Sequence, residues 1–117
     1  YLQFAYTRIR AIFRKGAVEP PQDVQGLTLT EPAERALALE LLAFGSLVVE
    51  LGETLEFHRL ATYLHGLAVA FTAFYETCPV LRSEGEVRVT RLVLCELTAG
   101  TLAQGLALLG IESPERM

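Results

Sequence analysis

Cysteine is nearly missing from this chain. Cys78 and Cys95 are the 2 cysteines among 117 residues, and no Cys-x-x-Cys pair occurs. The favoured reading is two buried thiols in a reducing compartment; a single disulfide between them is the alternative. Also lacking is an apolar run long enough to span a bilayer. The stretch Leu60 to Tyr75 contains His65, is bounded by Arg59 and Glu76, and falls short of the ~20 residues a span requires, so it is expected to be a core helix with no membrane partner. No signal peptide or basic, hydrophobic leader precedes it, which places the expectation in the cytoplasm. Positive charge is in deficit, with a formal net charge of −4, whereas a sequence-indifferent nucleic-acid binder is normally basic.

Catalytic motifs are equally scarce. There is no H-E-x-x-H, no Walker-type or G-x-G-x-x-G phosphate loop, and no G-x-S-x-G. His58 and His65 lie on the polar face of one helix without a third ligand, so no metal site is expected. The carboxylates are dispersed over solvated faces and turns. The chain is therefore expected to perform no reaction of its own and to hold no cofactor.

What is present is helical. The hydrophobic share is 51%, supplied mostly by Leu and Ala, both good helix formers. The length suits one domain with a sizeable core, and no alternating run is long enough for a sheet. Leu2, Tyr6, Ile9 and Phe13 form the stripe of a first helix over 1–16, stopped by Gly16 after Arg14 and Lys15. Residues 17–29, with Pro20, Pro21 and Gly26, read as a loop. Thr30, Glu31 and Pro32 announce a second helix running to about Gly45. A short third helix, 46–51, ends at Gly52. The spine is expected over 55–78, with Phe57, Leu60, Leu64, Leu67, Phe71, Phe74 and Cys78 in one stripe and Tyr75 at its margin. Such a helix would be ~35 Å long. Pro79 ends it, residues 80–86 turn, and a last helix over 87–109 points Leu92, Val93, Leu97, Leu102, Leu106 and Leu109 inward before Gly110. Gly66, Gly100 and Gly105, inside helices, are expected to permit close helix approach. The fold class is all-α, a bundle of about five helices.

One binding signal stands out. Residues 1–18 carry Arg8, Arg10, Arg14 and Lys15 with no acid. Tyr1, Ala5, Arg8 and Lys15 share a flank of the first helix, with Phe4 close by. A ring to stack, cations for phosphate and a small residue leaving room suit a flipped-out nucleotide base. An ordinary bundle surface carries the same pattern, so both readings stand at this point.

Three stretches carry a resemblance: YLQFAYTRIRAIFRK at the start, HRLATYLHGLAVAFTAFYETCPVL in the spine, and RLVLCELTAGTLAQGLALLGIESPERM at the end. Together they resemble the C-terminal DALR-type anticodon-binding domain of arginyl-tRNA synthetases, over nearly the whole chain except 17–29. The resemblance implies a helical bundle gripping the anticodon loop of an arginine tRNA, whose middle base is cytosine. It implies that Tyr1 and Ala5 line the anticodon pocket, that Tyr75 is a stacking or wall residue, and that the main chain and carboxylate of Met117 meet the base edge. Arg8 and Arg10 match the basic first helix as weaker candidates for the tRNA backbone. Pro79 stands where some members have tryptophan, and Phe4 where tyrosine is frequent. The parent enzyme would join L-arginine to tRNA using ATP with Mg in a catalytic domain of the same polypeptide. The abrupt start at Tyr1 reads as a piece of such a protein, and the polar tail as its natural end. The competing reading is a stand-alone helical protein-interaction module, and an apolar face that dimerises in isolation fits either one.

Overall fold

The computed structural model describes residues 1–16, 27–54 and 57–111. Four α-helices occupy them: α1 (Leu2–Gly16), α2 (Pro32–Thr54), α3 (Phe57–Thr77) and α4 (Gly85–Leu108). No strand occurs among the described residues. The central pair is α3 and α4. α1 and α2 each pack on both of them and do not meet each other among the described residues, so the bundle has a two-helix middle with one helix on either side. Of the expected loop, 17–26 lies outside the described residues. Leu27 to Thr30 run without helix, and Thr28 joins α4 through an N–H donated to Thr90 Oγ1 at 2.7 Å.

The helix ends follow from local chemistry. Tyr1 supplies the carbonyl that accepts the first turn's bond from the Ala5 N–H at 3.1 Å. α3 extends by one more bond, Cys78 N–H to Phe74 O at 2.8 Å, and stops because Pro79 has no N–H and disfavours helix in the residue before it. At the end of α4, Gly110 has φ +78°. Its N–H bonds to Ala107 O at 3.0 Å and that of Ile111 reaches Leu106 O at 2.8 Å. That pair of bonds is a Schellman cap, the stop expected of Gly110.

Two expected helices prove to be one. α2 continues through Gly45 and Ser46 to Thr54, because a glycine inside a helix costs only ~1 kcal/mol relative to alanine and Leu47 keeps the apolar period, packing on the core. The start of α2 is fixed less by Thr30 than by Glu34. The carbonyl of Glu31 takes the first helical bonds from Glu34 and Arg35, which makes Glu31 the cap residue. The carboxylate of Glu34 reaches back, accepting from the N–H groups of Thr30 (2.6 Å) and Glu31 (2.8 Å) and from Thr30 Oγ1 (3.1 Å). This is the acidic half of a capping box.

The core confirms most of the spine stripe: Leu60, Leu64, Leu67, Ala68, Phe71, Phe74 and Cys78 are buried. Phe57, in the opening turn, is exposed and stands outside it. α4 is more enclosed than the sequence suggests. Every residue from Thr90 to Cys95 is buried, the signature of a helix surrounded on several sides, although Leu97 is exposed. Only one of the three expected close-approach glycines acts as such. A Cβ on Gly105 would lie 2.6 Å from both Leu64 methyls, while Gly66 and Gly100 face open space. Cys78 and Cys95 are free, buried thiols.

A buried ion pair locks the bundle. Arg91 Nε on α4 donates to Glu34 Oε2 at 2.6 Å, with side chains 9% and 0% exposed. Arg91 Nη1 donates to Pro79 O at 2.8 Å. One guanidinium thus joins the start of α2 to the end of α3. Burial pushes the Glu34 carboxyl up, but Arg91 and the Glu31 and Thr30 donors outweigh it and hold the group below the usual carboxylate value.

Candidate nucleic-acid interface

α1 and α3 run side by side in the same direction. Tyr1 lies against His65, Ala68 and Thr72, Arg8 stands over Tyr75, and the last turn of α1 meets the turn after α3. The seam between them carries the candidate residues.

At its upper end Tyr1 is 56% exposed. Its hydroxyl shares a 2.8 Å bond with Thr72 Oγ1 and donates a longer one, 3.4 Å, to Ala68 O. Its ring centroid is 5.4 Å from that of His65. The sequence left Tyr1 between covering the bundle edge and facing a ligand; the hydroxyl does the first, and more than half of the residue is available for the second. Ala5, one turn on, is 6% exposed. It belongs to the core.

Midway, the Arg8 guanidinium carbon sits 4.7 Å from the centroid of the Tyr75 ring. Both residues are exposed, Tyr75 at 41%. Tyr75 follows Phe74 by one position, ~100° around the helix, which turns it from the core stripe toward α1. Phe71, one turn earlier and fully buried, props the ring at a centroid distance of 6.1 Å. The cation and ring form a stack of the kind that desolvation strengthens.

Below the stack the seam opens into a groove of about 690 Å³. Arg8, Ala11, Ile12 and Lys15 line one side; Tyr75, Glu76, Pro79, Val80, Leu81 and Arg82 line the other. Three cations therefore face one carboxylate, in a chain whose net charge is −4. Pro79 forms part of this lining.

Not all the candidates converge here. Tyr1 and Lys15 are ~20 Å apart along α1, so the residues form a strip, not a single pocket. Arg10 points elsewhere: Nη2 pairs with Glu96 Oε2 on α4 at 2.9 Å, and its guanidinium stands over Tyr6 and Phe13. Met117 lies outside the described residues. Arg82 was missed by the sequence reading, since only the parallel course of α1 and α3 brings it beside Lys15. Among the described residues no group of three His, Cys, Asp or Glu converges on a metal-sized site, and no helix is long and apolar enough to cross a membrane.

The family described as DALR anticodon binding domain matches residues 2–117. An arginine–tRNA ligase from Thermobifida fusca is 58% identical over 118 aligned residues, covering 100% of this chain and 20% of that protein. One from Frankia casuarinae is 56% identical over 117, again covering 20% of its length. The solved structure of Thermus thermophilus arginyl-tRNA synthetase superposes with a TM-score of 0.86 at 40% identity, over 100% of this chain and 21% of that one. The Plasmodium falciparum arginyl-tRNA synthetase gives 0.86 at 34% identity with the same coverage. The chain spans about a fifth of the length of the curated relatives it matches.

Proposed function

The chain belongs to the DALR anticodon binding domain family, and from that premise we propose that it grips the anticodon loop of an arginine tRNA as part of an arginine–tRNA ligase. One observation carries the reading beyond the family: a cation–aromatic stack, Arg8 on Tyr75, stands at the mouth of a groove with three cations in an otherwise acidic chain. Unstacked loop bases are recognised by rings and guanidinium planes, and their phosphates by cations. Tyr75 and Arg8 form the central contact and Tyr1 offers a second ring up the strip. Ala5, one turn along from Tyr1, is assigned to the pocket lining as the small residue that leaves room for the base. Met117 is assigned to the base edge, where main-chain acceptors suit a cytosine amino group. Arg10 is given no phosphate, because Glu96 already holds it.

The parent polypeptide would attach L-arginine to tRNA in the cytoplasm, using ATP with Mg in a catalytic domain beyond these residues. The exposed apolar residues of α2, Leu39, Leu42 (76% exposed) and Val49, favour a face that packs on that remaining polypeptide; isolated copies should then pair through it, a state that sedimentation equilibrium reads directly. The functional reading is tested by fluorescence anisotropy with an arginine anticodon stem-loop RNA and a variant in which the middle cytosine is uracil. Tighter binding of the cytosine form is expected. Equal, weak binding of both would overturn the assignment.

A further inference from the structure

Arg8, Lys15 and Arg82 meet in the groove from two separate segments, the second half of α1 and the turn after α3. Three other arginines are spent on carboxylates: Arg10 on Glu96, Arg59 on Glu50 and Arg91 on Glu34. Lys15 and Arg82 are exposed and have no carboxylate partner among the described residues. Three cations against the single carboxylate of Glu76 leave the concavity with an excess of positive charge, and a nearby anion relieves the repulsion among them. The neighbouring wall is Ala11, Ile12, Pro79, Val80 and Leu81, which lowers the local dielectric and strengthens attraction for an anion. The concavity is about 690 Å³, the size that takes a drug-sized group and more than a single inorganic ion needs.

We propose that Lys15 and Arg82 form a phosphodiester clamp that holds the RNA sugar-phosphate backbone beside the Arg8–Tyr75 stack. The clamp rests on the RNA-binding reading above and assigns to it two residues that fix the strand's path without reading its sequence. Arg82 offers planar, paired donors and Lys15 a point charge, so the two grip from opposite walls of the groove. Glu76, on the same lining, repels the strand and limits how tightly any RNA is held.

The test is a salt series from 50 to 200 mM KCl, by anisotropy, on Lys15→Gln, Arg82→Gln and Glu76→Gln with the cytosine and uracil stem-loops. All three side chains are exposed, and circular dichroism melts report that the fold is kept. Each cation variant should weaken both RNAs by the same factor, ~3–10-fold, and lower the slope of log K against log salt by about 0.7 for each phosphate lost. The preference for cytosine should be unchanged, Lys15→Arg and Arg82→Lys should restore affinity, and Glu76→Gln should tighten both RNAs. If the parent chain binds and discriminates but the cation variants leave affinity and slope unaltered, the clamp is wrong and the RNA reading stands. Loss of cytosine preference at unchanged slope also overturns it. If the parent chain binds neither RNA, both fall.

Discussion

Replacing Glu34 by Gln should cost more stability than any other single-atom change in this bundle. The carboxylate has two jobs at once. Oε1 accepts from Thr30 and Glu31 at the start of α2, and Oε2 accepts from Arg91 Nε at 2.6 Å. A glutamine can keep the first job through its carbonyl, but its amide then faces the Arg91 guanidinium donor to donor. What remains is a cation, 9% exposed, without a counter-charge. Breaking a buried pair from one side costs ~3–5 kcal/mol, a large share of the ~5–15 kcal/mol that a domain possesses. Urea unfolding followed at 222 nm should show a midpoint lowered by ~2 M at an m-value of ~1.5–2 kcal/mol per M. The control is Glu50→Gln, whose partner Arg59 is also at 2.6 Å but whose pair is largely solvated; it should change stability by less than ~1 kcal/mol. Replacing both partners, Glu34→Leu with Arg91→Met, should recover most of the loss, short of ~1 kcal/mol for the missing cap. The pH dependence has a definite sign. Because the folded pKa lies below the ordinary value of 4.5, the stabilisation is complete above that value and disappears as pH falls through the folded pKa. The Gln variant should lack that acid limb. A loss no greater than that of Glu50→Gln would refute the argument that burial, not distance, sets the strength of the pair.

Other outcomes follow from the same geometry. Tyr75→Ala should weaken stem-loop binding by ~1–3 kcal/mol in anisotropy titrations while leaving the melting curve nearly unmoved, since the ring is exposed. Gly105→Ala should destabilise by ~1–3 kcal/mol in urea melts, because the new methyl meets Leu64 at 2.6 Å inside a closed core; combining it with Leu64→Ala should be less harmful than the two losses added together. Burial pushes the Cys95 thiol up to about 12, so iodoacetamide at pH 8 should spare it in the native chain and modify it in urea. Its protonated native form also means that this thiol's contribution is lost as pH rises above the ordinary thiol value.

Features set by local chemistry were legible in the sequence. Pro79 and Gly110 end their helices where backbone sterics require it, and the three-and-four spacing from Leu60 to Phe74 places the core stripe correctly. Those that depend on tertiary neighbours were not. Glu34 looks like an ordinary first-turn acid, and nothing local shows that Arg91 waits 57 residues on. Gly45 looks like a stop, yet packing carries α2 past it. Val89 and Leu97 share the apolar character of their neighbours but lie exposed on α4, because the period of a helix surrounded on several sides does not reveal which sides are covered. At the candidate site, Arg8 and Tyr75 could each be suspected alone. Their stacking, and the arrival of Arg82, depend on α1 running parallel to α3, a relation that no spacing within one helix encodes.

Arg8 and Arg10, two of the three arginines of α1, show how far one helix can serve both stability and binding. Arg8 and Arg10 are two positions apart, hence ~200° around the axis. That offset aims Arg10 at α4, where Glu96 and the rings of Tyr6 and Phe13 hold it, and Arg8 at α3, over an exposed tyrosine. The Nε of Arg10 is buried without a hydrogen-bond partner, a cost accepted where a cation clasps two helices together. Arg8 sits beside open solvent and a groove short of negative charge. Basic residues close in sequence thus divide by helical phase into one that fixes α1 on the bundle and one left for an anion outside it. The strip proposed to face RNA is consequently no broader than one side of α1, and its rigidity comes from the opposite side, where Ala5, Ile9 and Phe13 are locked in the core.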